Sequence, residues 1–216
     1  MAIKVVLADD HAIVRQGLSA VISQEQDIKV VAEASNGKEV VDIAKKDSAD
    51  IFIIDISMPI LNGLEASSQI MQVNPNNRVI ILSMHDNRAF IERALGLGIR
   101  GYVLKDSAAD EIIQAIRAVY KDEYFLSPRI STFVIQDYID SRGQKIGEKK
   151  IVSLTERERE ILQLIAEGYT NKEVGTHLKI SVKTALAHRN NIMQKLGIHR
   201  QADLIRYALK EGITTI

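Results

Sequence analysis

Ile51-Phe52-Ile53-Ile54-Asp55-Ile56-Ser57-Met58-Pro59 is the stretch that decides the fold. Its four leading apolar residues read as a short strand covered on both faces. The run ends in a carboxylate and then a proline-bearing loop. Asp55 therefore stands where open α/β sheets place their chemistry, beyond the carboxyl ends of the strands. Other apolar runs end in the same way: Ile3 to Ala8 in Asp9 and Asp10, Val79 to Leu82 in Ser83, and Ile99 to Leu104 in Lys105. A further strand is expected over Ile28 to Ala34. Amphipathic stretches near Ala12–Ser23, Gly37–Lys46, Gly63–Gln72, Asn87–Leu97 and Ala108–Val119 alternate with these runs. Five βα units with short connections predict an α/β, doubly wound, five-stranded parallel sheet with helices on both faces.

The chain has 216 residues, room for two domains, and 46% of them are hydrophobic and 26% charged. It has no cysteine, which excludes a disulfide scaffold and a thiolate metal site. Its apolar runs are too short to span a bilayer, and Met1-Ala2-Ile3-Lys4 leads straight into a strand, so a cytoplasmic protein with no membrane partner is expected. The net charge of zero hides an asymmetry. Residues 1–120 hold 12 Lys+Arg against 16 Asp+Glu, and residues 121–216 hold 16 against 12. A basic back half is where nucleic-acid contact belongs.

Residues 1–120 form the expected front domain. Over 121–150 the pattern loosens into a linker: Ser127-Pro128 can start a helix, and Ser141 to Lys150 reads as a tether. Residues 151–216 are all helical by pattern. Thr155-x-x-Glu158 and Thr170-x-x-Glu173 are capping boxes, Ser181 is a third N-cap, and Gly197 and Gly212 are stops. A short helix to Leu178, a turn at Lys179-Ile180-Ser181 and a longer helix over Val182–Leu196 make a helix-turn-helix within an all-α, four-helix domain.

Carboxylates converging at strand ends repel one another unless a cation neutralises them, and Mg²⁺ suits one or two carboxylates plus phosphate. Asp55 is then a candidate nucleophile toward phosphorus, with Lys105 neutralising charge and Ser83 donating to a phosphoryl oxygen. In the back domain Lys172, Lys183, Thr184, His188, Arg189 and Lys195 are candidate phosphate contacts, with Ser181 on the same surface. Leu186 and Ala187 can touch a thymine methyl and Asn190 can reach an adenine. Gly96-Leu97-Gly98-Ile99-Arg100-Gly101 matches a dinucleotide fingerprint in the wrong context, since a helix precedes it and a strand follows. His11 reads as a helix start.

These residues carry a resemblance. Asp9-Asp10, Asp55 with Met58-Pro59, Ser83 and Gly101-Tyr102-Val103-Leu104-Lys105 resemble the receiver domain, a flavodoxin-like fold, of two-component response regulators. Leu154-Thr155-x-Arg157-Glu158-x-Glu160, Gly168, Asn171-Lys172-Glu173 and Lys195-Leu196-Gly197 resemble the LuxR-type helix-turn-helix. Together they resemble the NarL/FixJ family. The resemblance implies that a sensor histidine kinase phosphorylates Asp55. It further implies that Asp10, Asp55 and the carbonyl of Ser57 hold Mg²⁺ with Asp9 acting through water, and that Ser83 and Tyr102 are the switch. The resemblance also implies a homodimer on double-stranded DNA, formed when phosphorylated, and no enzymatic activity beyond its own phosphoryl transfer and dephosphorylation. In the inactive state the receiver is expected to cover the recognition helix. Ala185-Leu186-Ala187 departs from the family's usual polar base readers, which leaves open a signalling protein whose helical domain binds protein. A Mg²⁺-dependent phosphatase is the enzymatic rival.

Overall fold

The computed structural model describes residues 2–46, 49–84, 86, 88–141 and 154–214. Strands β1 (Ile3–Ala8), β2 (Ile28–Ala34), β3 (Ile51–Asp55), β4 (Arg78–Ser83), β5 (Gly101–Leu104) and β6 (Phe125–Leu126) form one parallel sheet in the order β2-β1-β3-β4-β5-β6. Period-two alternation splits the deciding run between two cores. Ile51 and Ile53 face α1 (Ala12–Ile22) and α5 (Ala108–Tyr120), packing with Leu18, Ile22, Ile112 and Ile116. Phe52 and Ile54 face α2 (Gly37–Lys46), α3 (Gly63–Val73) and α4 (Arg88–Gly96), packing with Val40, Leu64, Ile70 and Phe90. Every residue of β3 is buried, which is why the strand reads as an unbroken apolar run.

The strand order reverses between β1 and β3, and there the acids meet. Ala8 is in register with Ile54, so Asp9 emerges beside Asp55.

The structure corrects the strand count. A sixth strand pairs Phe125 and Leu126 with Gly101 and Tyr102, carrying the sheet on to residue 126. Two residues after a left-handed Asp122 (φ 64°) are too short to show periodicity. Ser127 then ties the chain to β5: its N–H donates to Tyr102 O at 2.9 Å, and its Oγ accepts the Leu104 N–H at 3.0 Å. Pro128 is the first residue of α6 (Pro128–Ser141), the N1 position that tolerates a missing N–H. Ser141, the expected start of the tether, is the last residue of α6, and the rest of it, 142–150, lies outside the described residues.

Helices α7 (Glu156–Ala166), α8 (Asn171–Leu178), α9 (Val182–Leu196) and α10 (Gln201–Lys210) surround a third core of Leu154, Ile161, Leu162, Val174, Ile192 and Leu204. Both capping boxes are formed, and Ser181 Oγ accepts the Thr184 N–H at 3.0 Å. Lys179 (φ 53°) makes the turn between α8 and α9, and Gly197 (φ 65°) ends α9.

Candidate functional site

Asp9 and Asp55 are both about 1% exposed, and Lys105 reaches them from the end of β5. Its Nζ lies 2.6 Å from Asp9 Oδ2 and 2.7 Å from Asp55 Oδ2. Burial pushes the Asp55 carboxyl above its usual range, with the Lys105 cation and the Ser57 N–H opposing it. Burial works against the Lys105 ammonium, yet the charge of Asp55 and bonds to both acids hold it above its usual value. Asp10 is more open. His11 Nδ1 stands 2.8 Å from Asp10 Oδ1, and the His11 N–H donates to Asp9 Oδ1 at 2.8 Å.

Donor atoms of Asp9, Asp10, His11 and Asp55 all lie within 4.8 Å of one another. Three carboxylates against one lysine leave excess negative charge, and their oxygens suit a hard divalent cation. His11 occupies the N-cap of α1, as its sequence position implies. Its ring contact with the acid pair was not legible in the sequence, because it depends on the loop turning back.

Ser83 is fully buried at the end of β4, and Tyr102 is 1% exposed on the neighbouring strand. The two are hydrogen-bonded, and burial carries the Tyr102 hydroxyl pKa up to about 12. The candidate switch pair is therefore already in contact, with the aromatic ring inside. Ser57 is half-buried in the loop after β3.

That same loop grips the helical domain. Gln163 of α7 is 1% exposed, and its Oε1 accepts the Asn62 N–H at 2.8 Å while its Nε2 donates to Met58 O at 3.1 Å. Asn62 Nδ2 donates to Ile213 O at 2.9 Å. Along α3, Ser68 Oγ donates to Glu156 Oε1 at 2.5 Å and Gln69 Nε2 to Glu160 Oε1 at 2.6 Å. Gly212 packs so closely that a Cβ there would lie 2.5 Å from the Phe90 ring. Ile60, in the loop, holds φ at +71°, an outlier for a β-branched residue. A cleft of about 510 Å³, lined by Asp10, Ser57, Met58, Met84, Gln163 and Ile213 among others, connects the acid site to this interface.

None of this docking appears among the residues read from sequence. One signal was present: Gln163 is a lone amide between Ile161-Leu162 and Leu164-Ile165, all buried.

On the helix-turn-helix, Lys172, Ser181, Lys183, Thr184, Leu186, Ala187, Asn190 and Lys195 are exposed, and His188 and Arg189 are half-buried. The α/β domain does not cover α9, contrary to the covering expected from sequence. It holds α7 and the segment after α10 instead, because the polar partners of its loop lie there. Four candidates are already engaged within their domain. Lys195 Nζ pairs with Glu158 Oε2 at 2.9 Å, Arg189 Nη2 donates to Gln201 Oε1 at 3.1 Å, and Thr184 Oγ1 lies 2.7 Å from Ser181 Oγ. Among the described residues no helix is long and apolar enough to cross a membrane.

Comparison with known proteins follows the same division. The family model of the response regulator receiver domain matches residues 5–117. That of the luxR family of bacterial regulatory proteins matches residues 152–208. The chain is 37% identical over 213 residues to the oxygen regulatory protein NreC of Staphylococcus carnosus, covering 97% of this chain and 98% of that one. RcsB from Salmonella enterica serovar Typhimurium, bound to a promoter with the phosphomimetic BeF3−, is similar in structure. Its TM-score is 0.61 at 30% identity, over 96% of this chain and 98% of that one. A structure of two RcsB dimers on two parallel DNAs matches with a TM-score of 0.59 at 29% identity, covering 98% and 99%.

Proposed function

The chain belongs to the NarL/FixJ family of two-component response regulators, a receiver followed by a LuxR-type domain, and from that premise we propose how phosphorylation of Asp55 controls it. It is a phosphorylation-dependent transcription regulator that binds DNA, and its family is one of regulators rather than classical enzymes. Residues 1–120 are the phosphoacceptor, with the start of the 121–150 linker adding β6 to its sheet, and 151–216 are the DNA reader, acting in the cytoplasm. The observation that carries the reading is the meeting of Asp9, Asp55 and Lys105 at one buried point, two loop residues from the clasp on α7.

An Asp55 carboxylate oxygen attacks the phosphorus of a kinase phosphohistidine; the P–N bond breaks, a P–O bond forms, and the imidazole leaves. Asp10 and Asp55, with the Ser57 carbonyl and Asp9 through water, would hold Mg²⁺, which supplies charge neutralisation when bound. Lys105 exchanges its contact with Asp55 for the phosphoryl group. Ser83 turns from Tyr102 toward the new oxygens, so the added charge of about −1.5 to −2 breaks the buried pair. The loop from Asp55 to Asn62 moves with it and releases Gln163.

Because α9 is exposed in the docked state, docking acts by restricting orientation rather than by hiding the reader. Freed domains dimerise and place two readers on paired half-sites, gaining affinity through effective concentration. The test is binding of full-length protein to a random duplex pool with Mg²⁺, with and without a small phosphodonor. Paired-site enrichment that needs the phosphodonor and is lost in Asp55→Asn is expected. Equal enrichment by Asp55→Asn would remove phosphorylation control. Salt-insensitive binding to protein and none to DNA would favour the protein-binding alternative.

A further inference from the structure

Within α9, Ala185 and Ile192 turn into the helical core. That leaves Val182, Lys183, Leu186, Ala187 and Asn190 on the outer side, all exposed. Val182 is 50% exposed and Leu186 44%, one helical turn apart. The polar neighbours are partly committed elsewhere: Thr184 lies against the Ser181 cap, and Arg189 is bonded to Gln201 on α10.

We propose that α9 reads its operator chiefly through the 5-methyl groups of thymine, with Leu186 as the specificity-determining residue and Val182 and Ala187 beside it. The proposal rests on the DNA-binding reading above and names what that reader recognises. Residues in the first turns of a recognition helix contact base edges in the major groove. An aliphatic side chain there makes no hydrogen bond. It gains only against the one apolar group the groove presents, the thymine methyl, and it would strip water from a cytosine amine or a guanine carbonyl without replacing it. The occupant of this apolar face is DNA because cations frame it. Lys183 lies between the apolar side chains of α9, and Lys172 is exposed on α8. Asn190 remains as the hydrogen-bonding reader, so thymine positions are fixed by shape and an adenine by this amide.

Deoxyuridine tests this directly, since it pairs as thymidine does and lacks only the methyl. The enriched duplex would be prepared with thymidine or with deoxyuridine at each thymine of the half-site, and bound by full-length protein with Mg²⁺ and phosphodonor. A loss of about fourfold is expected for each contacted methyl. Leu186→Ala should bind the two duplexes within about twofold of each other while keeping the salt dependence that phosphate contacts set. Equal wild-type affinity for both duplexes, with DNA binding intact, overturns the methyl readout alone. An unchanged thymine preference in Leu186→Ala overturns the role of Leu186. No duplex enriched under any condition overturns the DNA-binding reading, and this inference with it.

Discussion

Gln163→Ala should open the clasp without phosphorylation. The amide is 1% exposed and serves two backbone groups of the receiver, the Asn62 N–H at 2.8 Å and the Met58 carbonyl at 3.1 Å. If the interface stayed shut, both would be buried without partners, each at about 1–3 kcal/mol. Opening hydrates them and avoids that penalty. Even the low end, about 2 kcal/mol for the pair, shifts the docked-to-open ratio roughly 30-fold. The other links, Asn62 to Ile213, Ser68 to Glu156 and Gln69 to Glu160 among them, are the same in wild type and variant, so they leave this difference in the ratio unchanged. The assay is energy transfer between dyes on the two domains, read beside DNA binding without phosphodonor. Unphosphorylated Gln163→Ala should show the inter-dye distance and DNA affinity of phosphorylated wild type. A variant that stays docked and keeps full phosphodonor dependence would refute the clasp as the transmitting contact.

Three more outcomes follow from the same region. Ile60→Gly removes the left-handed strain at φ +71°, worth about 1–2 kcal/mol less the extra chain entropy of glycine, so thermal unfolding should rise by a few degrees; a fall would show that the Ile60 side chain outweighs the strain. Gly63→Ala would put a Cβ 2.0 Å from the Asp55 carbonyl oxygen, and the shift of α3 this forces should cost about 1–3 kcal/mol and slow phosphorylation from a small phosphodonor, both lost if Asp55 is unmoved. Glu65 is 2% exposed, and burial raises its pKa above 4.5 despite Arg93. It holds its proton to higher pH folded than unfolded, so its stabilising contribution is present below pH 4.5 and is lost as pH rises through the folded value. Stability measured across that window should fall with pH in wild type and fall less in Glu65→Gln; identical slopes would remove Glu65 as the cause.

The sequence by itself determined what short-range patterns encode. Buried parallel strands are continuous apolar runs, so β1, β3, β4 and β5 and the polar residues at their ends were legible, and with them Asp9, Asp55, Ser83 and Lys105. N-cap hydrogen bonds close within three residues, so Thr155, Thr170 and Ser181 marked their helices before any contact was known. The resemblance to receiver and LuxR-type domains rests on those same local strings. Strand β6 escaped because two residues carry no period, and its place is decided by β5 beside it.

The clasp escaped for a stronger reason. Asn62 and Gln163 stand 101 residues apart, and Asn62 and Ile213 stand 151 apart. A hydrogen bond across such a separation leaves no spacing to read; it shows only as a polar residue in an apolar run. Whether the receiver covers α9 or grips α7 depends on which surfaces satisfy their buried polar groups when two folded bodies meet. Both surfaces had first to exist, so only the tertiary structure could decide it.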